Sequence, residues 1–235
     1  MNTMIFKVFI FIMGYAALSE ASEKLNAQTI NTPSSSITIS TLSGEAIKPY
    51  SALLGQMRLK LFKEFPYLYD GNRNDATRAQ EKEYDTTYEK SPNARLIVAK
   101  DGEKIVGFMT LIPLSEEMRE IQQPFLDAGI DVQKYIYVGE VLILPEYRGQ
   151  GILRRFFEEH NAYARTQKFS HSVFMAVDRP HNHPLRPSDY RELEPIWEHF
   201  GYKKMNDSMK VKFPWMQVDG EKEQMNTLSL LQKAL

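Results

Sequence analysis

The stretch Tyr137-Val138-Gly139-Glu140-Val141-Leu142-Ile143-Leu144-Pro145-Glu146-Tyr147-Arg148-Gly149-Gln150-Gly151-Ile152-Leu153 decides how this chain is read. An apolar run stops at Pro145, two glycines follow with one residue between them, and an amphipathic repeat begins at Ile152. That order spells a buried strand, a turn, a glycine corner and a helix. Gly149 and Gly151 remove side chains that would shield backbone N–H groups, and the helix aims its positive end and its unpaired donors at the same spot. A phosphate group suits such a corner, and Arg148 adds a charge-assisted contact. A strand–turn–helix joint with glycines for close packing is the plainer alternative. The chain has no Gly-x-x-x-x-Gly-Lys-Ser/Thr, which argues against a P-loop, and the corner lacks the third glycine of a dinucleotide fingerprint.

Working outward, Ile37–Leu42 alternates as a half-buried strand. Pro49 opens a helix carrying Leu53, Met57, Leu61 and Phe65 at i+4, stopped by Pro66. An aromatic loop follows, and residues 75–90, with Tyr84 and Tyr88 one turn apart, read as a second helix. Residues 95–100 and 104–111 flank Asp101-Gly102, a strong hairpin signal. A long connection over 114–134 leads to the motif strand. Ile152, Phe156 and His160, beside Leu153 and Phe157, form the buried face of the helix after the corner. Residues 172–177 make a strand, 178–188 a proline-rich loop, a helix ends near Phe200-Gly201, and 209–213 is a last strand. The tail, 219–235, reads as amphipathic or loose.

At 235 residues, with 43% apolar and 11% aromatic residues, the chain can bury one sizeable core. Twenty-nine Lys and Arg stand against 30 Asp and Glu with no basic run, so composition gives no reason to expect nucleic-acid binding. The absence of cysteine excludes a thiol nucleophile, disulfides and Cys-ligated zinc. Near the N-terminus, Lys7 precedes an eleven-residue apolar run, Val8 to Leu18, and small residues follow at Ala17, Ser19, Ala21 and Ser22. These are the parts of a secretory signal peptide, and the run is too short to span a bilayer. The expected division is therefore a leader (1–22), a linker (23–36), a single main domain (37–218) and a tail (219–235), with export favoured over a cytoplasmic location.

The segment Arg148-Gly149-Gln150-Gly151-Ile152-Leu153 resembles motif A of the GNAT superfamily of acyl-CoA-dependent N-acyltransferases, Gln/Arg-x-x-Gly-x-Gly/Ala, with Leu153 at the last small position. Pro145-Glu146-Tyr147 is similar to its usual lead-in, and Ile196-Trp197-Glu198-His199-Phe200-Gly201-Tyr202 resembles its second signature. The element order over about 37–213 also fits. Phe65 to Tyr69 and Arg179 to Pro187 look like a bacterial subgroup of the family with unassigned substrates.

The resemblance implies an α/β (α+β) fold: a mixed, mostly antiparallel twisted sheet of about six or seven strands, flanked by helices and splayed at the motif strand. It implies acetyl-CoA as co-substrate. Backbone donors at Val141, Leu142 and Ile143 would take the pantetheine arm and thioester carbonyl, and Arg148, Gly149, Gln150, Gly151, Ile152, Leu153 and Arg154 the pyrophosphate. Direct transfer to a small-molecule or peptide amine is the expected reaction; a non-catalytic acyl-CoA-binding module is the alternative.

Amine acylation needs a proton acceptor. Glu140, flanked by Gly139 and Val141, is the leading candidate, with a structural carboxylate paired to Arg or Lys an equal reading. The family's usual acid, a Tyr, is replaced by Trp197, and its frequent Asn by Arg191. Tyr190 is a substitute acid or an ordinary packing tyrosine. His183 and Arg186 are weaker acceptor-binding candidates. His181 and His183 lack a third ligand of obvious spacing, so no metal is expected. His171 and His199 read as incidental. Acidic residues crowd 114–134, which mildly favours a cationic acceptor.

Overall fold

The computed structural model describes residues 36–71 and 86–235. The leader, nearly all of the linker, and most of the helix expected over 75–90 lie outside the described residues; 86–90 are helical. Among the described residues, no helix is long and apolar enough to cross a membrane.

Eight strands form one sheet: β1 (Ile37–Leu42), β2 (Arg95–Asp101), β3 (Lys104–Pro113), β4 (Tyr135–Ile143), β5 (His171–Val177), β6 (Lys203–Lys204), β7 (Val211–Met216) and β8 (Glu223–Ala234). Their order is β1-β2-β3-β4-β5-β8-β6, with β7 also paired to β8. Every pairing is antiparallel except β4 with β5. One face carries α1 (Lys48–Leu61), α2 (Arg119–Asp127) and the aromatic loop; the other carries α3 (Ile152–Thr166) and α4 (Glu194–His199). Because helices cover both faces, β4 is buried along its whole length, and apart from Glu140 it carries no charge.

Two expectations are corrected. The 114–134 connection contains α2, whose Ile121 and Phe125 pack into the core one turn apart. Pro124 inside it, which lacks the N–H a helix uses, masks the pattern. The tail set apart at 219–235 is β8, which pairs with β5, β6 and β7. Leu228 and Leu230 enter one core and Leu231 the other. The sheet therefore runs well beyond residue 218.

Helix α3 buries Ile152, Phe156, Phe157, His160 and Ala164, the face expected from its periodicity. His160 is fully buried, and its Nε2 lies 2.8 Å from Ser172 Oγ, which is 2.7 Å from the Tyr202 hydroxyl. Burial, then the nearby Lys233 cation, lowers the His160 pKa to about 3. The unfolded chain, with an ordinary value of 6.5, takes up a proton that the folded chain refuses. Stability from this group is therefore present above pH 6.5 and lost as pH falls towards 3. By linkage the loss is about 2 kcal/mol at pH 5. Urea unfolding of wild type and His160→Gln at pH 7 and pH 5 checks this: wild type should lose more stability between the two, and parallel losses would refute the assignment.

Candidate active site

The parallel pairing of β4 with β5 is confined to Tyr135–His171, Ile136–Ser172 and Tyr137–Val173. Beyond Tyr137 the strands diverge. On its other edge β4 stays in register with β3, apart from a bulge that places Gly139 and Glu140 opposite Thr110. The Leu144 N–H donates to Val106 O (2.9 Å), so strand alternation turns the N–H groups of Val141 and Ile143 towards the gap. The same alternation corrects the expectation for Leu142, whose backbone faces β3: a Cβ on Gly107 would lie 2.8 Å from its carbonyl oxygen.

The corner follows as expected. Gly149 (φ 74°) and Gly151 (φ 78°) both adopt the left-handed region, where glycine is at home. A Cβ on Gly149 would meet nothing within 4 Å, and one on Gly151 only the Arg154 guanidinium at 3.9 Å. The concave side of the turn is thus open. Gly151 is the N-cap of α3, so no capping side chain competes for the first-turn N–H groups. Lys104 pairs with Glu146 (3.3 Å) and the Tyr147 hydroxyl donates to Asp101 (3.0 Å), fixing the corner to the β2–β3 hairpin.

Beside the corner lies a cleft of about 770 Å³, walled by Ile143, Tyr147 and residues 148–154 on one side and by Pro195, Ile196, His199 and Phe200 of the α4 segment on the other. All the proposed pyrophosphate residues line it. So does His199, which its sequence context does not single out. Arg148 is partly committed elsewhere: its Nε donates to Ile143 O (3.1 Å), and burial lowers its pKa despite Glu64 and Glu146 nearby.

Glu140 is fully buried and forms an ion pair with Arg58 of α1, itself fully buried. Its N–H donates to Thr110 Oγ1 (2.8 Å), and it does not line the cleft. This matches the structural carboxylate that the sequence left open. Next to it, Gly139 is demanded by contact, since a Cβ there would fall 2.0 Å from the Tyr88 hydroxyl. Tyr88 donates to Glu117 (2.8 Å), a buried carboxyl whose pKa burial raises to about 6.

The second group of candidates gathers elsewhere. Tyr190 stacks edge-on against Phe65 (4.7 Å) under the Arg186 guanidinium, and burial pushes its pKa up. It lines a separate cavity of about 580 Å³ with Trp197, not the cleft at the corner. Arg186 is also bound to Glu192 (2.8 Å), and His183 Nδ1 accepts from the Leu185 N–H (3.2 Å). Trp197 packs on Phe174 (4.6 Å) as core. Among the described residues no His/Asp/Glu cluster is arranged to hold a metal.

A family model described as "Acetyltransferase (GNAT) family" matches residues 61–187, more than half of the chain and all of the strand, corner and cleft-bearing helix. The chain belongs to the GNAT acetyltransferase family. No curated protein matches its sequence. Solved structures share the fold at low identity. One, from Salmonella typhimurium, provisionally assigned as an acetyltransferase and solved with acetyl-CoA, has a TM-score of 0.52 at 12% identity, covering 85% of this chain and 94% of its own. Another is the ribosomal-protein-alanine N-acetyltransferase of Brucella melitensis, with a TM-score of 0.51 at 14% identity, covering 84% and 99%. A third, a GNAT-family acetyltransferase of Streptococcus pneumoniae, has a TM-score of 0.51 at 12% identity, covering 85% and 99%.

Proposed function

We propose that this GNAT protein is an N-acetyltransferase that moves the acetyl group of acetyl-CoA to an amine by direct attack. The observation that carries the reading is the splay of β4 from β5 immediately beside an open, side-chain-free corner. The corner fits a pyrophosphate: it offers first-turn N–H groups, a helix N-terminus and nearby Arg148 and Arg154. Val141 and Ile143 offer edge N–H groups to an extended amide-bearing chain and to a carbonyl oxygen that gains charge during transfer. Acetyl-CoA, when bound, supplies an acyl group activated as a thioester. The lack of cysteine removes a thiol-linked acyl-enzyme from consideration.

The rival reading, a binding module without turnover, draws support from Trp197 at the usual acid position and from the commitment of Glu140 to Arg58. One assay separates the two. A thiol-reactive dye reports free CoA without background, because the protein has no cysteine. Acetyl-CoA binding by calorimetry with amine-dependent thiol release supports the enzyme. Binding without release on a broad amine panel supports the module, and no binding overturns both.

A further inference from the structure

We propose that Glu64, in the loop three residues past the end of α1, is the carboxylate that receives the acceptor's ammonium group and takes its proton. This rests on the acetyltransferase reading above and assigns a role that Glu140 does not fill.

The argument begins with the two faces of the sheet. The corner and the cleft lie on the side of α3 and α4. The face of α1 is the side of the β4–β5 gap left to an acceptor that does not share the cofactor's cleft. The loop leaving α1 covers the gap's mouth there. At one end, Glu64 lies within the electrostatic reach of Arg148, which is tied to the last carbonyl of β4 at Ile143. At the other, Arg179, two residues past β5, donates to Pro66 O (2.7 Å) and Tyr67 O (3.0 Å). Residues 64–67 thus bridge the ends of the two diverging strands. Phe65 is held from outside by Tyr190 and by His183 (5.7 Å).

Within this bridge the Glu64 backbone is fully used: its N–H donates to Leu61 O, and its carbonyl accepts from Tyr67 and Leu68 (3.1 and 3.0 Å). The side chain is not. Among the described residues, the buried Oε2 has no hydrogen-bond partner. Arg148 and Lys60 act on it through charge. Glu64 as a whole is half-buried, but a carboxylate oxygen shielded from solvent and left unmet is destabilising, and a donor carried by a ligand would relieve it. A cation with N–H donors is the matching partner. Burial raises the Glu64 pKa, which strengthens it as a proton acceptor.

The step balances. Glu64 carboxylate accepts a proton from R–NH3+, and the R–NH2 nitrogen attacks the thioester carbonyl carbon. The C–N bond forms, the C–S bond breaks, and the second amine proton leaves with the CoA thiol. Glu64 returns its proton to water.

The test is Glu64→Gln, which keeps the shape and removes proton uptake. Wild type and variant are compared in acetyl-CoA calorimetry, and in thiol release with spermidine, a lysine peptide and a peptide with a free α-amino group. Spermidine is also titrated onto the CoA-saturated protein. Acetyl-CoA affinity should stay within about twofold. Release should fall by about 100-fold, within the range for general-base removal, and the acid limb of kcat/KM should shift to higher pH, following the acceptor amine's own ionisation once the carboxylate no longer takes its proton. Glu64→Asp should restore part of the rate. Equal release and equal pH profiles overturn the proposal, as does equal spermidine binding if neither protein turns over. Failure of wild type to bind acetyl-CoA would instead overturn the acetyltransferase reading.

Discussion

Gly151→Asp abolishes measurable CoA binding, a loss of at least about 100-fold, while the protein stays folded. Two effects act together. The carboxylate stands at the N-cap of α3, where a pyrophosphate would seat, and two like charges in a partly desolvated site repel by several kcal/mol. It also accepts a first-turn N–H itself, as N-cap aspartates do, removing a donor from the ligand. The fold survives because a new Cβ meets only the tip of Arg154, 3.9 Å away. The φ of 78° costs about 1 kcal/mol for Asp, one of the residues that best tolerates that region. Gly151→Asn separates charge from shape: it has the same φ tolerance and no charge, and should lose much less affinity. Calorimetry with CoA and dephospho-CoA measures both. Unchanged affinity in the Asp variant would refute the cradle.

The cradle is readable in the sequence because its parts are contiguous: apolar strand, Pro145, two glycines and an amphipathic helix occupy seventeen consecutive positions. The hairpin at Asp101-Gly102 is legible for the same reason, with Gly102 at φ 57° in the turn. What escapes detection depends on distant partners. Glu64 gains its setting from Arg148, eighty-four positions later, and from the way Arg179 ties down two carbonyls just beyond it. The α4 wall of the cleft carries no signal at His199, because exposure to a cavity leaves no periodicity. β8 is obscured because Leu228, Leu230 and Leu231 serve both faces of the sheet, which blurs the alternation of a one-sided strand. The acidic stretch over 114–134 suggests an acceptor-facing loop, yet Glu117 there is buried against Tyr88. Net charge in a segment does not say which way its carboxylates point.

The two readings of Glu140 make opposite predictions. A general base can be replaced by Gln with little effect on folding and a large loss of turnover. A buried carboxylate paired with a buried guanidinium behaves the other way round. Gln still accepts a hydrogen bond but leaves the Arg58 charge uncompensated in a site where both side chains are excluded from solvent. Breaking such a pair from one side destabilises by about 3–5 kcal/mol, whereas replacing both partners with apolar residues of similar volume is often close to neutral. Glu140→Gln and Arg58→Met should each shift the urea midpoint strongly downwards, and Arg58→Met combined with Glu140→Leu should recover most of the loss. That non-additivity is the signature of the pair. Turnover per folded molecule should survive in Glu140→Gln, because the proton is taken elsewhere. A variant of wild-type stability that had lost catalysis would return Glu140 to the reaction. The pair also sets geometry, since Arg58 sits within α1, six residues before Glu64, and Glu140 lies at the β4 bulge. Locking one to the other fixes α1 against β4, and so the start of the loop that carries Glu64.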